Sequence, residues 1–190
     1  SSSDDYYPYW YWYEQPVLFT LPSGEQETLR RLIAENENSQ EVLWKENALK
    51  LLTVLSKETD MLVCAEDLGA VPRCVPEVLN KLDILCLRVE RWARNWDSPY
   101  SPYYEMSDYP RLSVCTTSCH DTSTLRGLWE EPDFNKNLFW GHVHRPGMVP
   151  ENLSPDSVRG ILSNLFSSNS LLCILPIQDF FALSNQFYSI

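Results

Sequence analysis

The chain has 190 residues, of which 44% are hydrophobic and 22% charged, a balance typical of one globular domain. Acidic residues outnumber basic residues by 26 to 15, so the formal net charge is -11. That charge argues against binding to nucleic-acid phosphates or to anionic membrane surfaces. The apolar runs are far shorter than the ~20 residues that a membrane-spanning helix needs. The charge does not argue against neutral ligands such as sugars.

Six cysteines lie mostly within apolar strings such as LVCA and ILCL, where this residue acts as a small buried hydrophobe. The sequence contains no CxxC pair, and it is too long for a disulfide-stapled mini-domain. It opens with SSSDDYYPYW, which is unlike a secretory signal peptide. These features predict reduced thiols and a cytoplasmic protein.

The first part of the chain is irregular and then helical in pattern. Residues 1–24 contain the aromatic tract YYPYWYWYEQP and predict loop and short extended pieces. Residues 25–58 predict two helices, separated by the polar stretch ENENSQ, with the second from about Gln40 to Ser56.

From residue 61 onward, short apolar runs alternate with helical patterns. The predicted strands are 61–65, 84–90, 113–117 and 171–177; the predicted helices are 76–82, 122–131 and 154–166; 93–112 is a long loop and 132–153 is irregular. Continuous apolar strands alternating with helices indicate a parallel sheet covered on both faces. A doubly wound sheet and part of a (β/α)8 barrel both fit this order.

Polar residues follow every predicted strand. The pairs are Glu66 and Asp67, Glu90 and Arg91, His120 and Asp121, and Gln178 and Asp179. Because chemistry gathers beyond the carboxyl ends of parallel strands, this repetition predicts a shared active-site rim. For any single pair, a strand end that simply needs solvated residues is an equally good interpretation.

Carboxylates at such a rim suit sugar chemistry. Two carboxyl groups flanking a glycosidic bond can act as acid and as nucleophile or stabiliser. Glu66 follows an apolar run, so we expect it to be partly desolvated, the condition that favours a general acid. His120 beside Asp121 can bind sugar hydroxyls. The aromatic tract 6–13 could be a sugar platform, but a buried core or a lid interface is the favoured interpretation.

Other chemistries find less support. His142 and His144 with His120 lack zinc-ligand spacing, so no metal site is predicted. The spacing of Cys115 and Cys119 is not that of thiol oxidoreductases. The sequence contains no GxSxG, GxGxxG or GxxxxGK[ST] motif, which leaves a serine-hydrolase elbow and nucleotide binding unsupported.

Four blocks carry a family resemblance: LWKENALKLL (43–52), MLVCAEDLGAVPRCVPEVL (61–79), SCHDTSTLRGLWEE (118–131) and LPIQDFFAL (175–183). With them the sequence resembles the 4-α-glucanotransferases of glycoside hydrolase family 77, the amylomaltases or disproportionating enzymes. The nearest likeness is to their maltose-acting cytosolic branch.

The resemblance implies an α/β fold that is an incomplete (β/α)8 TIM barrel, its C-terminal half with long inserted loops. Residues 1–190 would be a fragment of one catalytic barrel domain, with 1–40 as an irregular aromatic and helical segment and 41–190 as the matching region. The implied reaction transfers glucosyl units from maltose or malto-oligosaccharides to a glycogen-like or starch-like glucan. It retains the anomeric configuration and needs no cofactor.

The family's roles fall on named residues of this chain. Glu66 would be the general acid/base, Asp121 the transition-state stabiliser, and His120 a sugar ligand at the cleavage subsite. Further substrate contacts are expected from Asp67, Arg126 and Gln178.

One departure is serious. The family's nucleophile is an Asp within an Arg-Ile-Asp-His block, and no Asp-His pair occurs among these 190 residues. Leu128 also stands where the family usually has Trp. We therefore expect the isolated chain to lack material at both ends of the barrel and to be inactive. An α-glucan hydrolase of related barrel type and a non-catalytic glucan-binding remnant stay open.

Overall fold

A computed structural model describes residues 7–9, 11–143 and 147–184. A three-stranded sheet contains β1 (Cys86–Val89), β2 (Ser113–Thr116) and β3 (Leu172–Cys173), in that order, and both pairs are parallel. The helices are α1 (Ser23–Lys57), α2 (Val75–Lys81), α3 (Leu125–Glu130), α4 (Lys136–His142), α5 (Pro155–Phe166) and α6 (Ile177–Phe181). Parallel strands alternating with helices confirm the α/β prediction, whereas closure into a barrel stays a prediction.

Residues 61–65 do not form the predicted strand. Cys64 makes one parallel bridge with Leu85. The amide of Ala65 donates to the carbonyl of Leu85 at 2.8 Å, and the amide of Leu85 donates to Val63 at 3.0 Å. Met61, at 77% exposure, lies in solvent. The run thus lies parallel beside the segment that leads into β1, but it makes too few ladder hydrogen bonds to form a strand.

The predicted break in the first helical region is also wrong. α1 runs without interruption for 35 residues. ENENSQ contains neither Gly nor Pro, and the lower helix propensities of Asn and Ser cost only about 0.5 kcal/mol per residue, so the polar stretch becomes an exposed part of one helix. Within α1, all of which is described, Ile33 alone is buried.

The aromatic tract is irregular, as predicted, but it is not buried. Two short 3-10 helices, Trp12–Glu14 and Pro16–Thr20, occupy its described part and the residues after it. Tyr11 and Tyr13 are exposed, and their rings meet edge to face with centroids 6.4 Å apart. Of the favoured interpretation, a buried core or a lid interface, the core is therefore wrong for the tyrosines that the structure describes, and the lid interface stays a prediction.

The main core lies between α3, α4 and α5. Ser154 accepts from the amide of Ser157 at 3.1 Å and caps α5, as its position before Pro155 indicates. Val158 and Ile161 of α5 are fully buried. They share one apolar cluster with side chains from α3 and α4, among them Trp129, Phe139 and Trp140.

α4 lies within 132–153, which the sequence predicts to be irregular. Asn135 begins it, because its side-chain oxygen accepts from the amide of Leu138 at 3.0 Å. This cap is the sequence signal that a prediction from apolar spacing overlooks.

Three other predicted elements are shorter than expected. The helix predicted from residue 122 begins at Leu125, where Thr124 caps it. The strand predicted over 171–177 narrows to two residues, since Pro176 has no amide for a ladder and becomes the N-cap of α6. The strand predicted to end at Glu90 ends at Val89, and Glu90–Trp92 is a 3-10 turn.

All six cysteines are free thiols, as predicted, although Cys64 is exposed rather than buried. Among the described residues, no helix has the length and apolar character to cross a bilayer.

Candidate active site

The parallel order puts the four strand exits at one edge of the sheet. Side-chain contacts join neighbouring exits there. Arg91, after β1, donates from Nε to the carbonyl of Thr117, after β2, at 3.4 Å. Thr117 in turn donates its hydroxyl to the carboxylate of Asp179, after β3. The ends of β1, β2 and β3 are therefore connected to one another rather than separately solvated.

The first exit, directly after residues 61–65, has an exposed carboxyl group, Glu66, beside a largely enclosed one, Asp67. Glu66 is exposed, so the expected partial desolvation is absent, since the residues before it make only one bridge to the sheet. Asp67 has a side chain only 6% exposed, and its Oδ2 lies 3.0 Å from Nη1 of Arg88. Its Oδ1 accepts from the amide of Leu87 at 2.8 Å. Asp67 thus fastens the turn that carries Glu66 to β1.

The third exit carries His120 and Asp121, both exposed. The thiol of Cys119 donates to Oδ1 of Asp121 at 2.7 Å, and the amide of Cys119 donates to Oγ1 of Thr122 at 3.0 Å. The thiol hydrogen bond, helped by a backbone amide, lowers the pKa of Asp121. A carboxylate that stays ionised is the form that stabilises a developing positive charge.

Arg126 and Gln178 lie further into the fold. Arg126 is buried, and its Nη2 donates to the carbonyl of Ala182 at 2.8 Å, which ties α3 to the end of α6. It also lines a small pocket with Trp129 and Leu153. Gln178 is half-buried in the first turn of α6. Their roles as substrate contacts stay predictions.

Glu90, directly after β1 at the second exit, does not face solvent. Glu90 is 1% exposed, and its Oε1 lies 3.6 Å from Nε2 of His142 in α4. Burial raises the pKa of Glu90, and His142 opposes part of that rise. Tyr103 stacks on His142 with ring centroids 4.7 Å apart. The rim predicted at every exit is therefore wrong at this position, because the loop after β1 and α4 cover it.

Asp179, which the sequence places on the predicted rim with no specific role, does not face solvent, so the rim prediction is wrong here as well. Its side chain is completely buried. Its Oδ1 accepts from the amide of Leu125 at 2.9 Å, while its Oδ2 accepts from Thr117. The only sequence signal was a carboxylate directly after Gln178, the residue that follows the apolar run 171–177.

No group of three His, Cys, Asp or Glu side chains that could hold a metal ion occurs in the part of the chain that the structure describes. His142 packs against Glu90 and Tyr103, and His144 lies outside the described residues.

A family model described as 4-alpha-glucanotransferase matches residues 8–187. The chain belongs to this family. The chain is 35% identical over 190 residues to the 4-alpha-glucanotransferase DPE2 of Oryza sativa subsp. japonica, an alignment that covers 97% of this chain and 20% of that protein. It is 32% identical over 134 residues to the 4-alpha-glucanotransferase of Chlamydia pneumoniae, covering 70% of this chain and 25% of that protein.

A structural likeness was found to the amylomaltase from Streptococcus agalactiae in complex with acarbose, with 16% identity and a TM-score of 0.49 over 63% of this chain and 23% of that chain. The chain spans 20% to 25% of the length of the two curated relatives named above.

Proposed function

We propose that this chain is the part of a 4-α-glucanotransferase barrel that supplies the acid/base and the transition-state stabiliser. The observation that carries the proposal is the position of Glu66 and Asp121 within the family match. Each follows a parallel position of the same sheet, and Arg91 joins the end of β1, which lies between them, to the end of β2. A (β/α)8 barrel, with 1–190 as one part of its catalytic domain, belongs to this proposal.

The reaction is a retaining double displacement. Glu66 gives a proton to the glycosidic oxygen as the bond breaks, and Asp121, whose carboxylate accepts from the thiol of Cys119, stabilises the oxocarbenium-like transition state. The glucosyl group passes to an Asp nucleophile that none of these 190 residues matches. Glu66 then takes the proton from the attacking hydroxyl of a second sugar.

The donor is maltose or a malto-oligosaccharide, and the acceptor is a glycogen-like or starch-like glucan. The exposure of Glu66, His120 and Asp121 supports this, because a chain-like acceptor must reach both sides of the cleaved bond. His120, Asp67, Arg126 and Gln178 are the proposed substrate contacts. Asp67 acts at least partly by holding Glu66 in place, since Leu87 and Arg88 occupy its oxygens. The free thiols support a cytoplasmic location.

The test is transfer by the full-length protein that contains this chain, given maltose and glycogen. For each glucose released from maltose, one glucosyl unit is expected to be added to glycogen. Two glucose molecules per maltose, with no elongation, would identify a hydrolase instead. An unchanged rate in the variants Glu66→Gln and Asp121→Asn would remove both residues from the active site.

A further inference from the structure

The loop between β2 and α3, residues 117–124, carries His120 and Asp121; we name it the site loop. Its first residue, Thr117, and the residue directly after it, Leu125, are held by the same side chain. Oδ2 of Asp179 accepts from the hydroxyl of Thr117, and Oδ1 accepts from the amide of Leu125 at 2.9 Å. A single buried carboxylate therefore closes both ends of the site loop onto α6.

Contacts inside the site loop are of a different kind. Cys119 bonds to Asp121 and Thr122, which lie two and three residues away. These short-range bonds fix the internal shape of the loop. They do not fix where that shape sits relative to the sheet, because every partner belongs to the loop itself.

A second group supports the same ends from the opposite side. Arg91 is buried, and it donates to the carbonyl of Thr117 at 3.4 Å and to Oγ of Ser123 at 2.9 Å, as well as to the carbonyl of Ser123. Its positive charge also interacts favourably with Asp179. The buried carboxylate thus has a compensating charge and two hydrogen-bond donors, which is what its burial requires.

From this geometry we propose that Asp179 is a positioning residue of the transfer reaction, which sets the place of Asp121 by holding both ends of the site loop. The inference rests on the proposed function. The position of the site loop matters for the rate because a displacement of about 1 Å at a reacting group can lower the rate ~10²-fold. An Asn side chain at 179 would keep one acceptor and turn an amide group toward a donor, so residue 179 could hold only one end of the site loop and would leave the other end to Arg91.

The experiment compares variants of the full-length protein. Asp179→Asn is expected to lower kcat for transfer from maltose by roughly 10–10²-fold, with KM changed by less than about threefold. Thr117→Val removes one of the two bonds and is expected to lower kcat by a smaller factor. Thr117→Ser keeps the hydroxyl and is the matched control, with a rate close to that of the natural protein.

A double-mutant comparison separates positioning from general damage. If Asp179 acts through Asp121, then Asp179→Asn has little further effect once Asp121→Asn is present. An equal fold-loss in both backgrounds, or a loss confined to KM, would overturn the proposal. If Asp179→Asn does not fold, as judged by circular dichroism, Thr117→Val and Thr117→Ser are compared in the same two backgrounds. Equal rates for these two variants would also overturn it.

Failure of the proposed function has its own signature. A natural rate in the Asp121→Asn variant alone would remove Asp121 from the reaction, and the positioning role of Asp179 with it. If Asp121→Asn lowers the rate of transfer while Asp179→Asn, as a separate variant, keeps the natural rate, the proposed function stands and only the positioning role is rejected.

Discussion

The carboxylate of Glu90 and the imidazole of His142 face each other across 3.6 Å, and Glu90 is only 1% exposed. Burial raises the pKa of Glu90 above its ordinary value of 4.5, and the charge of Asp179 adds to the rise. His142 and, to a smaller extent, Arg91 act in the opposite direction. The folded protein therefore keeps a proton on Glu90 at pH values where the unfolded chain has lost it.

This difference predicts how stability depends on pH. The contribution of Glu90 is fully present below pH 4.5 and is lost as the pH rises through the raised pKa, with a slope of at most about 1.4 kcal/mol per pH unit. The side chain in Glu90→Gln cannot ionise, so we expect this variant to gain stability relative to the natural chain as the pH rises above 4.5. Urea unfolding at several pH values measures this. The exposed Glu46→Gln is the control, and a variant–natural difference independent of pH would contradict the prediction.

Glu66→Gln tests the acid/base role through the choice of donor. In the full-length protein we expect transfer from maltose to fall by ~10²–10⁴-fold, the usual contribution of a general acid/base. A glucosyl fluoride donor needs little protonation of its leaving group, so its first step should lose much less. Steady-state rates with both donors give the ratio. Small and equal losses would indicate that Glu66 only solvates the end of a strand.

Two glycine substitutions of opposite expected sign test the packing beneath the site loop. Gly→Ala within a helix ordinarily stabilises by about 0.5–1 kcal/mol. A Cβ at Gly127 of α3 would lie 2.9 Å from Cβ of Ser123, so Gly127→Ala should instead destabilise the chain. Gly141 in α4 has open space, and Gly141→Ala should be neutral or stabilising. Thermal unfolding of both variants measures the difference, and equal shifts in Tm would refute the predicted contact.

The isolated 190-residue chain is expected to release no glucose from maltose. The reason is chemical, since no residue of the chain matches the family's nucleophile block and no glucosyl-enzyme can then form. A glucose assay with glycogen as acceptor checks this, with the full-length protein as the positive control. Measurable turnover that Asp121→Asn abolishes would require another nucleophile among these residues.

Sequence patterns predicted the central sheet well. The runs around β1 and β2 combine apolar residues with neighbouring helices, and both became parallel strands that lie within their predicted ranges. The run at 61–65 has the same composition but failed as a strand, because it makes only one bridge, from Cys64 to Leu85, to the neighbouring backbone. Composition reports how well residues suit a strand, and it does not report which backbone lies beside them.

The candidate site was predictable in part for a similar reason. Exposed residues such as Glu66 and Asp121 can be located from their place after an apolar run. The buried contacts of Glu90 with His142 could not, since those residues are 52 positions apart and α4 itself depends on the cap at Asn135. Long-range polar contacts follow from packing, which no local pattern encodes.

The bond between Thr117 and Asp179 joins residues 62 positions apart, and this separation sets an order of events during synthesis. At ~5–20 residues per second, a ribosome needs roughly 3–12 s to add that stretch of chain. Throughout this interval the segment with His120 and Asp121 has already been made but lacks its carboxylate anchor. The segment with His120 and Asp121 can therefore take its anchored position only after α6 has been made.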